Sequence, residues 1–242
     1  KKYMECQKLK VAAISEMENK LAEFGYRMKF PMKSGDLSRR WCSAYLKIMV
    51  ADTVLRNMNS VAANLTKTRM DIKLLIVSGE RRGESVGRSK YNEIEIHRTN
   101  AVSKHHRTVH QWRPVIDYSE KDIWEVLKRH KVNPHPCYRA GWNRCSCAMC
   151  IFSTPQLFAG IRELYPKEYA LLCQDEKVLG FTLDNHCDLE TYIGSADSCV
   201  YHGDKEAIQS LLTGEFPVES VYVKDKWKYP VGAFHGAAGG PC

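Results

Sequence analysis

The sequence predicts an α/β protein built on a mostly parallel sheet. Helix-like and strand-like segments alternate along the first third of the chain, as they do in layered α/β domains. The run KLLIVSG at 73–79 is continuously apolar and ends in a glycine, which is typical of a buried parallel strand that opens into a loop. With 242 residues and 44% hydrophobic content, the chain can bury one sizeable core or two modest ones.

The first elements follow from apolar spacing. Residues 1–25 carry apolar side chains close to helical spacing and end in a glycine, which predicts an amphipathic helix. The short alternating segment YRMKF at 26–30 predicts a strand. Residues 40–58 predict a second helix, with Ser38 as its N-cap.

Helices dominate the prediction for the remainder of the chain. Ser119 is a suitable N-cap for a helix within 110–132, and residues 154–178 and 205–212 also have helical patterns. The glycine-rich end either docks onto the body of the protein or stays loose. We divide the chain into an α/β part at 1–115 and a helical, cysteine-rich extension at 116–242.

Charge and cysteine content narrow the class of protein. The formal net charge is +8, which favours an anionic partner, either a nucleotide or a nucleic acid. The sequence contains no apolar run of the roughly 20 residues that span a bilayer, so no membrane partner is expected. We expect a soluble, cytoplasmic protein. In a reducing compartment, its ten cysteines would bind metal or do chemistry rather than form disulfides.

The loop SGERRGESVGRSK, at 78–90, follows the apolar strand and has the composition of an anion site. It offers the guanidinium groups of Arg81, Arg82 and Arg88, which can make paired contacts to phosphate or sulfate oxygens. Its glycines let backbone N–H groups approach the same oxygens. A solvated basic loop is the alternative interpretation.

A second cluster of chemistry-bearing residues is HPCYRAGWNRCSCAMCIF, which we call the cysteine loop (135–152). Cys147 and Cys150 form a C-x-x-C pair, and Cys137 and Cys145 are close enough in sequence to join them. Four sulfur ligands imply zinc or an iron-sulfur cluster, and His130 and His135 are further candidates. Packing as reduced thiols is the alternative, and we expect it for the remaining cysteines outside the candidate metal sites: Cys6, Cys173, Cys187, Cys199 and Cys242.

Four motifs, in order, resemble the phosphoadenosine phosphosulfate (PAPS) reductase-like family. They are RRWCSAYLK from Arg39 to Lys47, GERRGES with Arg88 following, WRPVIDYSEKDIWEVL, and SCAMC. The likeness spans roughly Met32 to Phe152 and implies an adenine nucleotide alpha-hydrolase-like fold, a doubly wound, mostly parallel sheet. It departs from the family at one point, because no S-G-G-K-D-S pyrophosphate loop is present and KSGDLS at 33–38 does not replace it.

The resemblance also implies site residues. ATP, or an adenylyl sulfonucleotide, would bind with magnesium, and Arg81, Glu84 and Lys47 would be catalytic. Some members of the family carry a 4Fe-4S cluster, which here implies the ligands Cys42, Cys137, Cys147 and Cys150, with Cys145 competing for one place. The nucleotide would be bound by Gly79, Arg81, Arg82, Ser85 and Arg88.

The function implied is that of an ATP pyrophosphatase or sulfurtransferase, in DNA phosphorothioation or a related nucleic-acid modification. The basic stretch at 98–113 could follow a DNA backbone, and a cysteine desulfurase or other modification subunit would be a partner. A sulfonucleotide reductase is the first alternative, although the tail lacks that enzyme's Glu-Cys-Gly-x-His motif. A non-catalytic nucleic-acid-binding or regulatory module with a structural metal is the second. The missing pyrophosphate loop suggests the C-terminal portion of a longer protein, or a degenerate homologue that binds without hydrolysing.

Overall fold

The computed structural model describes residues 29–66 and 71–234. The predicted helix at 1–25, and all but the last two residues of the predicted strand at 26–30, lie outside these ranges. Three strands are described: β1 (Ile72–Val77), β2 (Ile94–Ile96) and β3 (Arg107–Trp112). The described helices are α1 (Trp41–Ser43), α2 (Met49–Thr66), α3 (Val102–His105), α4 (Glu120–Arg129), α5 (Pro136–Arg139), α6 (Pro155–Leu164), α7 (Pro166–Leu179), α8 (Leu189–Ile193) and α9 (Lys205–Thr213).

The strands form a small mixed sheet in the order β1-β3-β2. β1 runs parallel to β3, from Ile72 opposite Arg107 to Val77 opposite Trp112, whereas β2 is antiparallel to β3. The α/β class is therefore confirmed. Within the described residues the sheet has one parallel and one antiparallel pairing, so it is less parallel than the sequence predicts.

One face of this sheet is more exposed than expected. Leu75 and Val77 on β1 are each 59% exposed, and Ile94 and Ile96 on β2 are 60% and 68% exposed, whereas Val109 on β3 is fully buried. The prediction of a buried β1 strand is therefore wrong, since its side chains alternate between half-buried and exposed.

The two predicted helix caps have opposite outcomes. Ser119 caps α4 as predicted, in a capping box with Asp122 in which each side chain accepts the other residue's backbone N–H. Ser38 does not cap a helix, because α1 begins after Arg40. The Ser38 hydroxyl instead donates to Asp36 at 2.7 Å, a local turn contact that competes with capping.

The main hydrophobic core lies in the second half of the chain. It is built around Trp142, Phe158, Ile161 and Leu189, all at least 90% buried. Phe30 and Cys42 pack against it from the first half. The segment that leads into α1 therefore belongs to the same packed unit as the cysteine loop.

The C-terminal segment docks onto this unit through Phe234. Trp227 packs beside Trp124 in a second small core, and its indole N–H donates to the Val132 carbonyl at 2.8 Å. The Gly232 N–H donates to the Tyr138 carbonyl at 2.8 Å, directly over α5. Of the two alternatives for the tail, docking is therefore correct up to residue 234, and 235–242 lie outside the described residues.

Gly141, which follows α5, provides a stability test of this packing. Its φ is +107°, and an added Cβ would overlap the carbonyl oxygen of Cys199. We expect Gly141→Ala to lower the free energy of unfolding by about 2 kcal/mol or more, because backbone strain and overpacking add together. The matched control is Gly214→Ala, where φ is +69° but the space is open. It should cost only about 1 kcal/mol in urea denaturation. Equal losses would contradict the steric argument.

Candidate functional site

The predicted anion loop lies at the carboxyl end of β1, as expected for a ligand crevice of an α/β sheet. The Ser78 N–H donates to the Trp112 carbonyl at 3.0 Å, and the Gln111 amide donates to the Ser78 hydroxyl at 3.0 Å. These contacts fix the start of the loop beside the end of β3. The loop therefore sits at the edge where both parallel strands finish.

Within this loop the three predicted anion-binding arginines are paired with carboxylates. Glu84 accepts a hydrogen bond from Arg81 at 3.3 Å and also pairs with Arg88. Arg82 pairs with Asp117 and donates to a backbone carbonyl at 2.9 Å. A phosphate group that entered the loop would have to compete with Glu84 for two guanidinium groups at once.

The other predicted nucleotide-binding residues lie on the same loop. Ser85 is extended, and its hydroxyl accepts the Arg88 N–H at 3.2 Å, which closes the turn. An added Cβ at Gly79 or Gly83 would meet no atom within 4 Å. The backbone at these two glycines is therefore open to close approach by a ligand.

Arg113 is a buried residue of this site that the sequence analysis did not single out. It is 3% exposed, follows β3 directly, and pairs with Glu95 at 2.6 Å and Glu80 at 3.3 Å. Its guanidinium also donates to the Asn92 carbonyl at 2.8 Å and stacks 4.6 Å from the Tyr91 ring. Arg113 thus ties the start of the loop to the segment that leads into β2.

The cysteine loop contains a group of three metal-type ligands. One side-chain ligand atom from each of His135, Cys137 and Cys145 lies within 4.8 Å of the others. His135 is the N-cap of α5, and its Nδ1 accepts the Cys137 N–H at 3.2 Å, which leaves Nε2 for a metal. The Tyr138 hydroxyl accepts the Cys145 N–H at 3.2 Å and positions the third ligand.

The four cysteines of the loop form two hydrogen-bonded pairs. A hydrogen bond from Cys137, supported by one from His135, lowers the pKa of Cys145 to about 4, while the pKa of Cys137 is raised by that same hydrogen bond and by burial. In the second pair, a hydrogen bond from Cys147 lowers the pKa of Cys150 to about 5, while the pKa of Cys147 is raised. Binding of a metal cation by either pair would require both of its thiols to lose their protons.

The segment that carries Cys42 lies against this loop. The positive charge of Lys47 acts to lower the pKa of both Cys145 and Cys147, and the Arg40 guanidinium is 5.9 Å from the Phe152 ring. Lys47 is exposed in a π-helical turn at Ala44–Ile48, next to the thiols. Cys42 is half-buried against the main core and is not part of the His135, Cys137 and Cys145 group. The ligand set of the metal stays a prediction.

The basic stretch at 98–113 divides into structural and surface residues. Arg107 and Arg113 are 4% and 3% exposed and make internal hydrogen bonds, whereas Lys104 and His105 are exposed on α3. A DNA contact by the whole stretch stays a prediction, and Arg107 could not serve it as a simple surface charge.

The thiol arrangement predicts selective reactivity in the metal-free chain. Only a thiolate is nucleophilic, and burial raises the pKa of Cys199 to about 12, whereas the hydrogen bond from Cys137 lowers the pKa of Cys145. At a pH between the pKa values of Cys145 and Cys199, iodoacetamide should therefore alkylate the exposed Cys145 well before Cys199. Peptide mass spectrometry at timed intervals measures the two rates. His135→Ala should slow Cys145 alone, since it removes one hydrogen bond to the thiolate. Similar rates at both cysteines would show that the pairing is wrong.

Comparison with known proteins shows which family this chain resembles. The model of the phosphoadenosine phosphosulfate reductase domain matches residues 6–153, which include the anion loop and all of the cysteine loop. An uncharacterized 37.8 kDa protein of Escherichia phage 186 is 30% identical over 71 residues, 29% of this chain and 21% of that protein. Adenosine 5'-phosphosulfate reductase of Burkholderia cepacia is 30% identical over 74 residues, 31% of this chain and 27% of that enzyme.

These relatives are matched over only about a quarter of their own length. No solved structure matches the chain. Among the described residues, no helix has the length and apolar character needed to cross a membrane.

Proposed function

Because the chain belongs to the phosphoadenosine phosphosulfate reductase domain family, we propose that it is an enzyme that acts on an adenine nucleotide in a sulfur-transfer reaction. The reaction proposed is that of an ATP pyrophosphatase and sulfurtransferase, in DNA phosphorothioation or a related nucleic-acid modification. The observation that carries the proposal is that Cys42, on the same segment as Lys47, packs against the hydrophobic core that contains Cys137 and Ile151 of the cysteine loop.

The nucleotide would bind at the anion loop. The phosphates of ATP, or of an adenylyl sulfonucleotide, would take the place of Glu84 at Arg81 and Arg88, and magnesium would neutralise the remaining charge. Arg82, Gly79 and Ser85 complete the proposed contacts. Guanidinium groups already aligned by Glu84 need little reorganisation when a phosphate arrives.

The metal group proposed is a 4Fe-4S cluster. Four cysteine thiolates are the usual ligands of such a cluster, and the proposed ones are Cys42, Cys137, Cys147 and Cys150, all free thiols, with Cys145 as the alternative ligand. When bound, the cluster would control the delivery of sulfur to the activated acceptor. Lys47 and Arg144 would help to hold the thiolates in their charged form, since both charges already lower the pKa of cysteines in the loop.

Zinc is the second candidate for this centre. His135, Cys137 and Cys145 supply one nitrogen and two sulfurs, and a further thiolate would complete the tetrahedral set that zinc prefers. This arrangement would favour a structural metal site, and with it the non-catalytic nucleic-acid-binding or regulatory module. The metal bound by the protein therefore distinguishes the two candidates: iron and sulfide favour the sulfurtransferase, and zinc favours the non-catalytic module.

Sulfonucleotide reduction is the other enzymatic candidate. It is supported by the match to an adenosine 5'-phosphosulfate reductase, and the anion loop would suit that substrate equally well. A phosphorothioation enzyme would act with a cysteine desulfurase as the source of sulfur and with DNA as the acceptor, whereas a reductase needs neither.

Product analysis of the full-length protein separates the two reactions. We expect anaerobic protein, supplied with a sulfur donor and DNA, to release pyrophosphate from ATP, and Arg81→Ala to raise the ATP concentration needed about tenfold, as expected for a lost charged hydrogen bond. Arg129→Ala on α4, an exposed arginine outside the loop, is the matched control. Release of sulfite from a sulfonucleotide with thioredoxin, and no pyrophosphate from ATP, would replace the proposal with the reductase.

A further inference from the structure

A basic pocket of about 280 Å³ lies between α2, α3 and the start of β3. Its lining includes the guanidinium-bearing residues Arg56, Arg98 and Arg107, together with His105. None of the described residues that line it is an aspartate or a glutamate. We refer to this feature as the basic pocket.

The basic pocket is separate from the anion loop. Arg107 is the first residue of β3 and lies opposite Ile72, whereas the anion loop begins after Val77, opposite Trp112. Arg107 and Trp112 are five residues apart on an extended strand, at about 3.3 Å per residue, so the basic pocket and the anion loop lie at opposite ends of these strands. A ligand in the basic pocket therefore would not occupy the proposed nucleotide site.

The pocket's guanidinium groups are held in place by the fold. Arg107 is 4% exposed, and it donates to the Thr99 carbonyl at 3.0 Å and to the Arg56 carbonyl at 2.9 Å. Arg98 makes a paired contact to the carboxylate of Asp52 at 2.8 and 2.7 Å. These contacts orient the guanidinium groups before any ligand binds, which lowers the ordering cost of binding.

The charges around the pocket do not balance. Asp52 lies 3.7 Å from Arg56 and also pairs with Arg98, and the hydrogen bond from Arg98 lowers the pKa of Asp52, so this carboxylate stays ionised. Among the described residues, Asp52 is thus shared by the guanidinium groups of Arg56 and Arg98, so one carboxylate serves two positive charges. Arg56 and Arg98 keep more than half of their side-chain surface exposed at the mouth.

We propose that the basic pocket binds a phosphate group, as a second anion site that does not depend on the proposed function. A volume of about 280 Å³ admits a phosphate with an attached sugar, and it is below the size usual for pockets that enclose larger ligands. The phosphate would come either from a nucleic-acid backbone or from a small phosphorylated compound. Exposed Lys104 on α3 would extend the positive surface for a backbone.

Two probes test the site on the full chain: inorganic phosphate by calorimetry, and a short DNA duplex by fluorescence anisotropy over a range of salt. We expect Arg56→Gln and Arg98→Gln each to weaken phosphate binding about tenfold, the loss usual for a charged hydrogen bond. Arg56→Lys should keep most of the affinity because it keeps the charge. The matched control is Arg129→Gln, which removes one exposed charge from α4, outside the pocket.

Salt dependence identifies the source of the phosphate. If DNA binds, its salt slope should fall by about 0.9 for each phosphate contact removed by the arginine variants, which assigns the site to a nucleic-acid backbone. If DNA does not bind but phosphate binding falls as expected, the site serves a small phosphorylated compound.

Arg98→Gln leaves Asp52 without its main partner, so thermal unfolding must confirm that this variant folds. Arg56→Gln carries the test in any case. Binding of both probes by Arg56→Gln at the strength of Arg129→Gln would overturn the proposal.

Discussion

Cys147→Ser should abolish the brown colour that we expect of anaerobically purified protein. Cys147 forms the C-x-x-C pair with Cys150, and the two thiols are close enough to share a hydrogen bond. A serine hydroxyl is a poor iron ligand, so the variant would leave one iron of a 4Fe-4S cluster without its thiolate. The measurement is the visible absorption spectrum, with iron and sulfide content determined on the same sample.

The control for this prediction is Cys199→Ser. Cys199 packs against the main core, and burial raises the pKa of its thiol to about 12, so it should bind no metal and the colour should remain. Serine variants of Cys42 and Cys145 then decide which of them is the fourth ligand, and His135→Ala tests the histidine. Colourless anaerobic protein with one equivalent of zinc would contradict the cluster and favour the nitrogen and sulfur set.

The position of the cysteine loop, but not its internal pairing, could be predicted from the sequence. The C-x-x-C spacing is visible in the chain itself, whereas a single loop histidine carries no periodic signal. The sequence offers both His130 and His135 as candidate ligands, and the structure favours His135 because α5 begins at Pro136 and brings its imidazole to Cys137. The contact depends on one local helix start that the sequence analysis did not predict.

In the fold as well, features set by neighbouring residues could be predicted from the sequence, and features set by distant residues could not. The start of α4 was predicted correctly, because the Ser119 and Asp122 capping box is a contact between residues three apart. The mixed pairing of the sheet was not predicted, because it depends on Ile94 lying opposite Trp112, and no local pattern encodes that register. Nor does a basic loop composition show that Glu84 pairs with Arg81 and Arg88.

Arg113→Ala should cause a large loss of stability. The guanidinium is 4% exposed and loses its pairs with Glu95 and Glu80, its hydrogen bond to the Asn92 carbonyl and its stacking on Tyr91. Removing one partner of a fully buried ion pair costs about 3–5 kcal/mol. Since both carboxylates here are partly exposed, we expect about 2–3 kcal/mol, measured as the free energy of unfolding in urea.

Arg113 also links stability to the site, because Glu80 belongs to the anion loop. Arg113→Lys keeps the charge but cannot make all of these contacts at once, so it should lose an intermediate amount of stability. Arg129→Ala, which removes an exposed arginine from α4, should change stability by less than about 0.5 kcal/mol. If the Arg113 variants also weaken nucleotide binding at a temperature where they remain folded, Arg113 positions the anion loop. If they unfold the protein no more readily than Arg129→Ala, Arg113 does not hold the loop to the sheet.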